Sequence, residues 1–385
     1  MVLKTILAGL ALLSVVLTVW QWLVAWRFPL HQRLSGKPSF VPPVTVLKPL
    51  KGCDSSTESC LRSWLVQDYP AAVQVLFGVA SAEDPVCELV RKILREFPKA
   101  NAQLVICQPL TGANLKIAKL AQLEAMAAHD VLVISDADVR VPPEFLLNVV
   151  APLERPEVGL ANCFYRLANP ATVAMQWEAV AINADFWSQV LQSQSLKPMD
   201  FALGAVMATR RQQVKEIGGF AALADCLADD YQLGNRIARR GHQIVLSSIV
   251  VECWSASMNW SEVWKHQLRW ARTIRVCQPL PYFFSILSNA TLWPVLCMAA
   301  NPSTPVLFLG LGAFLFRMGT ALNLQARLAQ ARIPLSLAWL ALLKDLLQVA
   351  VWAFAFFGNR VEWRGERMRL RRDGTLIRLP VSPDT

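Results

Sequence analysis

Two acidic pairs lie at positions where carboxylates could carry out chemistry. Asp136 and Asp138 directly follow the apolar run 131–134, and Asp229 and Asp230 begin a predicted helix. Carboxylate oxygens are ligands that Mg²⁺ and Mn²⁺ prefer, so a pair at a strand end can hold a divalent cation that also binds a diphosphate. Each pair alone is also compatible with a solvated turn or a helix N-cap. The position after a strand favours the cation site, which suits nucleotide-sugar chemistry.

A basic and aromatic motif follows in the run 260–275. Arg269 and Arg272 are three residues apart, so a helix places them on one face, where they could grip phosphate oxygens. Trp270 offers a flat surface for packing or stacking, and His266 lies one turn before it. The alternative is a basic helix at the membrane boundary that contacts anionic lipid headgroups.

The elements that must position these residues alternate along the middle of the chain. Short β-branched and apolar runs predict strands over 44–47, 73–79, 104–107 and 131–134, and helical patterns lie between them over 57–67, 85–97 and 115–128. This alternation predicts parallel pairing in a doubly wound α/β sheet. Such sheets bind ligands beyond the carboxyl ends of their strands, which is where Asp136 and Asp138 lie.

The amino-terminal segment predicts a membrane anchor. No charge occurs from Thr5 to Trp26, a length that suits a spanning helix, and Trp20, Trp22 and Trp26 cluster at one end. A cleaved signal peptide is the alternative, but its apolar core is shorter and ends at a small-residue cleavage site, which is not evident here. The Arg and Lys residues that follow predict that the chain continues on the cytoplasmic side.

Three further apolar segments lie towards the carboxyl terminus. Segments 282–300 and 304–322 predict a membrane hairpin. Segment 334–358 contains Lys344 and Asp345. Adjacent charges are not expected to share one helix face, and a charge at the bilayer centre is costly. We therefore expect 334–358 to be re-entrant, interfacial or buried against the other helices, followed by a basic tail that contacts anionic headgroups.

The composition supports a membrane-associated protein. Hydrophobic residues make up 54% of the chain and charged residues 17%, outside the usual range of soluble domains. The formal net charge of +10 does not predict nucleic-acid binding, because the strongest basic cluster, 360–378, directly follows a membrane segment. The nine cysteines form no Cys-x-x-Cys pair, which argues against a disulfide scaffold or a zinc site.

Taken together, the motifs resemble GT-A-fold glycosyltransferases of the family-2 type, and most closely the ceramide glucosyltransferase family, family 21, with its bacterial relatives in hopanoid biosynthesis. The resemblance covers nearly the whole chain, and its ordering is more specific than any single motif. The motifs that carry it are Leu47 to Asp54, Gln67 to Pro70, Glu83-Asp84-Pro85, Asn114-Leu-Lys116, Asp136-Ala-Asp138, Gly218-Gly-Phe220, Asp229-Asp230-Tyr231, Arg269-Trp270 and Phe356 to Gly365.

The resemblance implies roles for individual residues. Asp84, or its neighbour Glu83, would help hold the uracil or ribose of a UDP-sugar, and Asp136 and Asp138 would bind Mg²⁺ or Mn²⁺ and the donor diphosphate. Asp230 would be the general base, and Arg269 and Trp270 would lie near the acceptor and leaving group, with Lys116 and Arg272 on the donor. The first position of the Arg-Trp motif is His266 here, where the family has Gln or Arg.

The implied architecture is a mostly parallel, Rossmann-like GT-A catalytic domain over 41–275, with an amino-terminal anchor over 1–27. A membrane region over 276–358 and a basic cytoplasmic tail over 359–385 would follow it. The implied activity is inverting transfer of one sugar from a UDP-sugar to the hydroxyl of a membrane lipid, with the catalytic domain on the cytoplasmic side of the cell membrane. A processive polysaccharide synthase and a non-catalytic nucleotide- or lipid-binding membrane protein are the alternatives. The sequence leaves the sugar open, and it leaves the acceptor open among ceramide, hopanoid and diacylglycerol.

Overall fold

A computed structural model describes residues 1–34, 39–109, 111–363 and 366–379. The residues outside these ranges include Lys37 of the basic run after the first helix, and Arg364 and Gly365 of the carboxyl-terminal motif.

An eight-stranded mixed sheet forms the centre of the protein, in the order β3-β2-β1-β4-β7-β6-β8-β5. Its first four members pair in parallel, which confirms the α/β prediction, whereas β7 runs antiparallel to both β4 and β6. Strands β6 and β8 are parallel to each other, and β5 pairs antiparallel with β8. The strands are β1 Val44–Pro49, β2 Val73–Val79, β3 Asn101–Ile106, β4 Val131–Ser135, β5 Val139–Arg140, β6 Val158–Leu167, β7 Val206–Arg210 and β8 Gln243–Cys253.

Helices cover both faces of this sheet and enclose two apolar cores. The predicted helices correspond to α2 to α4, and both cores combine side chains of the sheet with side chains of these helices and of several others. The helices of this part are α2 Thr57–Ser63, α3 Val86–Glu96, α4 Leu115–Met126, α5 Phe145–Val150, α6 Val173–Val180, α7 Trp187–Gln194, α8 Arg211–Glu216, α9 Asp229–Arg239 and α10 Trp260–Cys277. A π-helical turn, Ala181–Phe186, joins α6 to α7.

Among the described residues, three helices are long and apolar enough to cross a membrane. They are α1 Val2–Arg27, α13 Thr304–Ala329 and the segment Leu335–Phe356, which contains α14 Leu340–Phe356. The segment predicted as one span over 282–300 is instead broken, with a bend of 52° between Pro279–Ser288 and Leu292–Ala300. The shorter helices α11 Pro279–Phe284 and α12 Leu292–Ala300 lie on either side of this break, which contains Asn289 and precedes Pro294.

The charges of α14 are buried in an ion cluster. Arg317 of α13 forms ion pairs of 2.8 Å with both Asp185 of the π-helical turn and Asp345, and Lys344 also pairs with Asp185. Thr291 donates a hydrogen bond of 2.7 Å to Asp345. The expectation that adjacent charges do not share one helix face is therefore wrong, because the side chains of Lys344 and Asp345 both reach the same ion cluster. Their burial against other helices agrees with the prediction.

The basic residues after α14 form a folded element. Strands β9 Arg360–Trp363, β10 Glu366–Leu370 and β11 Leu376–Arg378 make an antiparallel sheet in the order β11-β10-β9, which we call the terminal sheet. Its apolar side chains form a small core with Ala113 and Leu227 beside α4 and α9. The main chain of Leu376 donates a hydrogen bond of 2.7 Å to the carbonyl of Asp225. The terminal sheet therefore packs against the region around α4 and α9.

Candidate active site

The acidic pair after β4 lies where the sequence predicted it. The main-chain N–H of Asp136 donates to the carbonyl of Ala205 at 3.0 Å, which fixes the end of β4 against the segment that precedes β7. Behind it, the buried Lys48 of β1 donates to the Asp136 carbonyl at 2.6 Å and to the Ser135 hydroxyl at 3.0 Å. Burial lowers the pKa of Lys48 to about 8, against the pull of both acidic side chains. Asp138 is exposed at the open end of the sheet.

Lys116 joins two carboxylates that are distant in sequence. Its Nζ lies 2.8 Å from Asp136 Oδ1 and 2.8 Å from Asp229 Oδ2. Asn114 caps the start of α4 by accepting hydrogen bonds from the backbone of Lys116 and Ile117, so the lysine is held at the helix end. Burial opposes its charge, but the two carboxylates outweigh burial and raise the pKa of Lys116. The ammonium group therefore neutralises part of the acidic site.

Asp230 lies next to this group in a partly buried position. Its carboxylate accepts a hydrogen bond of 2.7 Å from the backbone of Tyr231. Burial raises its pKa to about 6, with a further increase from Asp229 and a decrease from Lys116. A Cβ atom added at Gly204 would lie 2.6 Å from Asp230 Oδ2, so the absence of a side chain at 204 leaves room for the carboxylate.

Asp84 lies in the loop between β2 and α3, and β1 separates β2 from β4 in the sheet. Both of its carboxylate oxygens accept hydrogen bonds from the backbone N–H of Gly52, at 3.0 and 3.1 Å, and Oδ1 also accepts from Val86. The side chain thereby ties the loop after β1 to the start of α3. Glu83 is exposed beside it. Of the two predicted donor-binding candidates, Asp84 is the one held in a defined position.

The helix α10 carries its motif residues on two sides. On one side, His266 Nδ1 lies 2.6 Å from Oε1 of the fully buried Glu178, which also accepts from Gln267 at 2.8 Å. The His266 ring is 4.8 Å from that of Trp270, which in turn contacts Tyr165 at 6.5 Å and Phe186 at 6.2 Å between ring centroids. These aromatic side chains form a surface that an apolar acceptor could contact.

On the other side, Arg269 and Arg272 line a cavity of about 630 Å³ between α10 and the terminal sheet. The Arg272 guanidinium donates to the carbonyl of Phe357 at 2.9 Å and to that of Arg360. Arg272 therefore anchors the segment that enters the terminal sheet, a role that its position in the motif does not indicate.

The residues present fit a divalent cation. Within 1–34, 39–109, 111–363 and 366–379, no group of three or more His, Cys, Asp or Glu side chains is arranged to hold a metal by itself. Asp136 and Asp138 offer hard oxygen ligands, and a cation bound there would take the rest from diphosphate oxygens and water, as Mg²⁺ commonly does.

The structure thus groups Asp136, Asp229, Asp230 and Lys116, while Asp84 lies after β2, two strands away from β4 in the sheet. Sequence reasoning treated Asp229 as part of a motif without a role of its own, and it overlooked Lys48 and Glu178. A lysine inside the apolar run of β1 was an available signal, because a buried charge requires a polar partner. No local pattern marked Glu178, since His266 is distant in sequence.

The mixed sheet and its crossover helices form a GT-A fold. The mannosyltransferase PcManGT of Pyrobaculum calidifontis, solved in complex with GDP-Man and Mn²⁺, has the same fold. Its TM-score is 0.53 at 21% identity, over 89% of this chain and 99% of that chain.

The chain belongs to glycosyl transferase family 21, whose family model matches residues 6–376. It is 22% identical to ceramide glucosyltransferase 3 of Caenorhabditis elegans over 365 residues, which cover 91% of this chain and 77% of that protein. It is 32% identical to the ceramide glucosyltransferase of Komagataella phaffii over 161 residues, which cover 38% of this chain and 31% of that protein.

Proposed function

We propose that this family 21 enzyme transfers one sugar from a UDP-sugar to the hydroxyl of a membrane lipid, of ceramide or hopanoid type, with inversion at the anomeric carbon. The observation that carries the proposal is the position of Asp230, a carboxylate whose pKa is raised to about 6 beside the acidic diphosphate site. A general base works best when its pKa lies near the operating pH. The names of the curated relatives support a lipid acceptor, and the GDP-Man and Mn²⁺ of the solved relative support a nucleotide-sugar donor with a divalent cation.

In this mechanism Asp230 takes the proton of the acceptor hydroxyl as its oxygen attacks the anomeric carbon. The new glycosidic C–O bond forms while the bond from that carbon to the diphosphate oxygen breaks, so a single displacement inverts the centre and releases UDP. Asp136 and Asp138 would hold Mg²⁺ or Mn²⁺, which neutralises charge on the leaving diphosphate when bound.

Positively charged side chains complete the donor site. Lys116, released from Asp136 when a cation binds there, would turn its ammonium group to the diphosphate, and Arg269 would approach it from α10. Asp84 would hold the uridine from the end of β2. His266 and Trp270 would contact the acceptor on the other side of α10.

The membrane helices give the reaction its setting. We place the anchor at 1–27, the catalytic domain at 41–275, the membrane region at 276–358 and the terminal segment at 359–385, with the catalytic domain on the cytoplasmic side of the cell membrane. Three candidate spanning helices would hold the site at the bilayer surface, where a lipid hydroxyl arrives at a fixed height.

The test uses the full chain in lipid nanodiscs with a panel of UDP-sugars, Mn²⁺, and ceramide, hopanoid or diacylglycerol acceptors. We expect UDP release and one added sugar per lipid by mass spectrometry. Asp138→Ala should abolish transfer and weaken metal-dependent UDP binding, whereas Asp230→Asn should abolish transfer and leave UDP binding nearly intact.

Asp130→Asn is the matched control, because that carboxylate is 95% exposed at the opposite end of β4. Long sugar chains on the product would indicate a polysaccharide synthase. Equal transfer by the wild type and both active-site variants would refute the assignment, and loss of UDP binding in Asp230→Asn would refute its role as the base.

A further inference from the structure

The cavity between α10 and the terminal sheet is strongly basic. Five cationic side chains line it, together with the carboxylate of Glu362 and a few apolar groups. The cations are Lys265, Arg269, Arg272, Arg360 and Arg367. Its volume of about 630 Å³ lies in the range of pockets that bind nucleotide-sized molecules. Such a set of charges in one cavity suits an anionic ligand.

The cations come from two elements that meet at this cavity. On α10, the spacing of Lys265, Arg269 and Arg272 by four and three residues puts them on one helix face. On the terminal sheet, Arg367 of β10 pairs with Glu362 of β9, so their side chains lie on the same face of the sheet.

Several contacts fix the terminal sheet as a wall of the cavity. Lys265 pairs with Glu362 at 3.2 Å, and Arg272 donates to the carbonyls of Phe357 and Arg360. The buried side chains of Met368 and the other inner residues hold the sheet against the catalytic domain. The terminal sheet therefore holds the backbone of Arg360 and Arg367 in a defined position beside the cavity.

Arg360 and Arg367 contribute charges to the cavity that no ion pair balances within the described ranges. Glu362 is the carboxylate among the lining side chains, and it already pairs with Lys265. In the part of the chain that the structure describes, no ion pair involves the guanidinium groups of Arg360 or Arg367. The Nε atom of Arg272 is buried and lacks a hydrogen-bond partner among those residues. Arginine binds phosphate oxygens in a bidentate manner, so a phosphate group could satisfy several of these donors at once.

The terminal sheet also borders the donor site. Glu366 and Met368 of β10 lie at a small crevice that is lined on its other side by Lys116, the lysine that pairs with Asp136 and Asp229. The same three strands thus contact both the basic cavity and the surroundings of the acidic site. A ligand phosphate in the cavity would stabilise the terminal sheet over the catalytic domain.

We infer that α10 and the terminal sheet form a phosphate-binding site in which Arg360 and Arg367 act together with Arg269. The phosphate could belong to the nucleoside diphosphate, an interpretation that rests on the proposed function, or to a phospholipid headgroup, which does not. In both cases the terminal sheet is part of a binding site.

The test compares two double variants of the full chain in nanodiscs. Arg360→Gln with Arg367→Gln removes two charges from the cavity, whereas Arg371→Gln with Arg372→Gln removes two exposed charges of the same segment that lie beyond β10 and do not line it. UDP affinity is measured by calorimetry in phosphatidylcholine nanodiscs with Mn²⁺. Retention of phosphatidylglycerol is measured by native mass spectrometry in mixed nanodiscs.

We expect the cavity variant to weaken UDP binding by about tenfold or more, as loss of charge-assisted hydrogen bonds predicts, while the control retains wild-type affinity. Unchanged UDP affinity with loss of bound phosphatidylglycerol would identify a lipid phosphate as the ligand. Unchanged values in both measurements, or equal losses in the cavity variant and its control, would overturn the inference. If the wild type neither binds UDP nor transfers sugar, the proposed function fails while the lipid measurement still tests the site.

Discussion

Asp230→Asn should stabilise the protein at alkaline pH while it abolishes transfer. The folded state raises the pKa of Asp230 from 3.8 to about 6, mainly through burial and then through Asp229. A raised carboxyl pKa means that folding favours the protonated form. Protonated Asp230 gives its full contribution to the stability of the fold below about pH 4. This contribution is lost as the pH rises through 6, because the carboxyl group then ionises in the folded protein. Asparagine cannot ionise, so the Asp230→Asn variant keeps this contribution to stability at high pH.

The size of the effect follows from the two pKa values. A tenfold change in proton affinity corresponds to about 1.4 kcal/mol, so the shift is equivalent to at most about 3 kcal/mol. The carboxylate is partly exposed, and solvent screening reduces this to roughly 2 kcal/mol. The backbone hydrogen bond from Tyr231 survives the substitution, because the asparagine oxygen can also accept it.

Thermal unfolding in detergent with EDTA, followed by tryptophan fluorescence, measures the difference between variant and wild type from pH 4 to pH 8.5. We expect an advantage of a few degrees for Asp230→Asn at pH 8 that disappears near pH 4. Asp130→Asn, at the exposed end of β4, should show no such pH dependence. If the Asp230→Asn variant is no more stable than the wild type at pH 8, ionised Asp230 does not lower the free energy of unfolding, and the argument is refuted.

Three further substitutions test the site and its support. Gly204→Ala should lower kcat at least about tenfold with unchanged UDP affinity, because the new Cβ would meet Asp230 Oδ2 at 2.6 Å and displace the base. Glu178→Gln should reduce kcat about tenfold by weakening the hold on His266, and calorimetry should find UDP binding intact. Arg317→Met should destabilise the protein by about 3–5 kcal/mol in thermal unfolding, since it leaves buried carboxylates without their main partner.

The parallel half of the sheet could be predicted because its signal is local. Each of β1 to β4 contains a short, mostly apolar run bounded by turn residues, and α4 begins at a recognisable cap, Asn114. The antiparallel half was not predicted. Strands β6 and β8 pair across the 75 residues of intervening chain, 168–242, and their polar and apolar residues do not alternate regularly because both faces are covered.

The acidic motifs were predictable as motifs, but their charge balance was not. Lys116 contacts Asp136 and Asp229 only because α4 begins beside the end of β4 and the start of α9, and this follows from the sheet order rather than from spacing in the sequence. The terminal sheet was missed for a related reason. Its inner residues, such as Met368 and Leu370, alternate with arginines, and composition alone presents the segment as a basic tail.

The helix that contains the π-helical turn connects the candidate active site to the candidate membrane helices. Glu178, which holds His266, and Asp185, which joins the buried ion cluster, are seven residues apart, or about 10 Å along the helix axis. Apolar contacts between helices are not directional, and they permit small sliding movements. Charged groups that are mutually hydrogen-bonded have a defined geometry, so we expect the pairing of Asp185 with Arg317 to set the position of this helix relative to α13. In the proposed reaction, the ion cluster would then fix the height of His266 and Trp270 above the membrane helices, which gives a physical reason for charges in otherwise apolar segments.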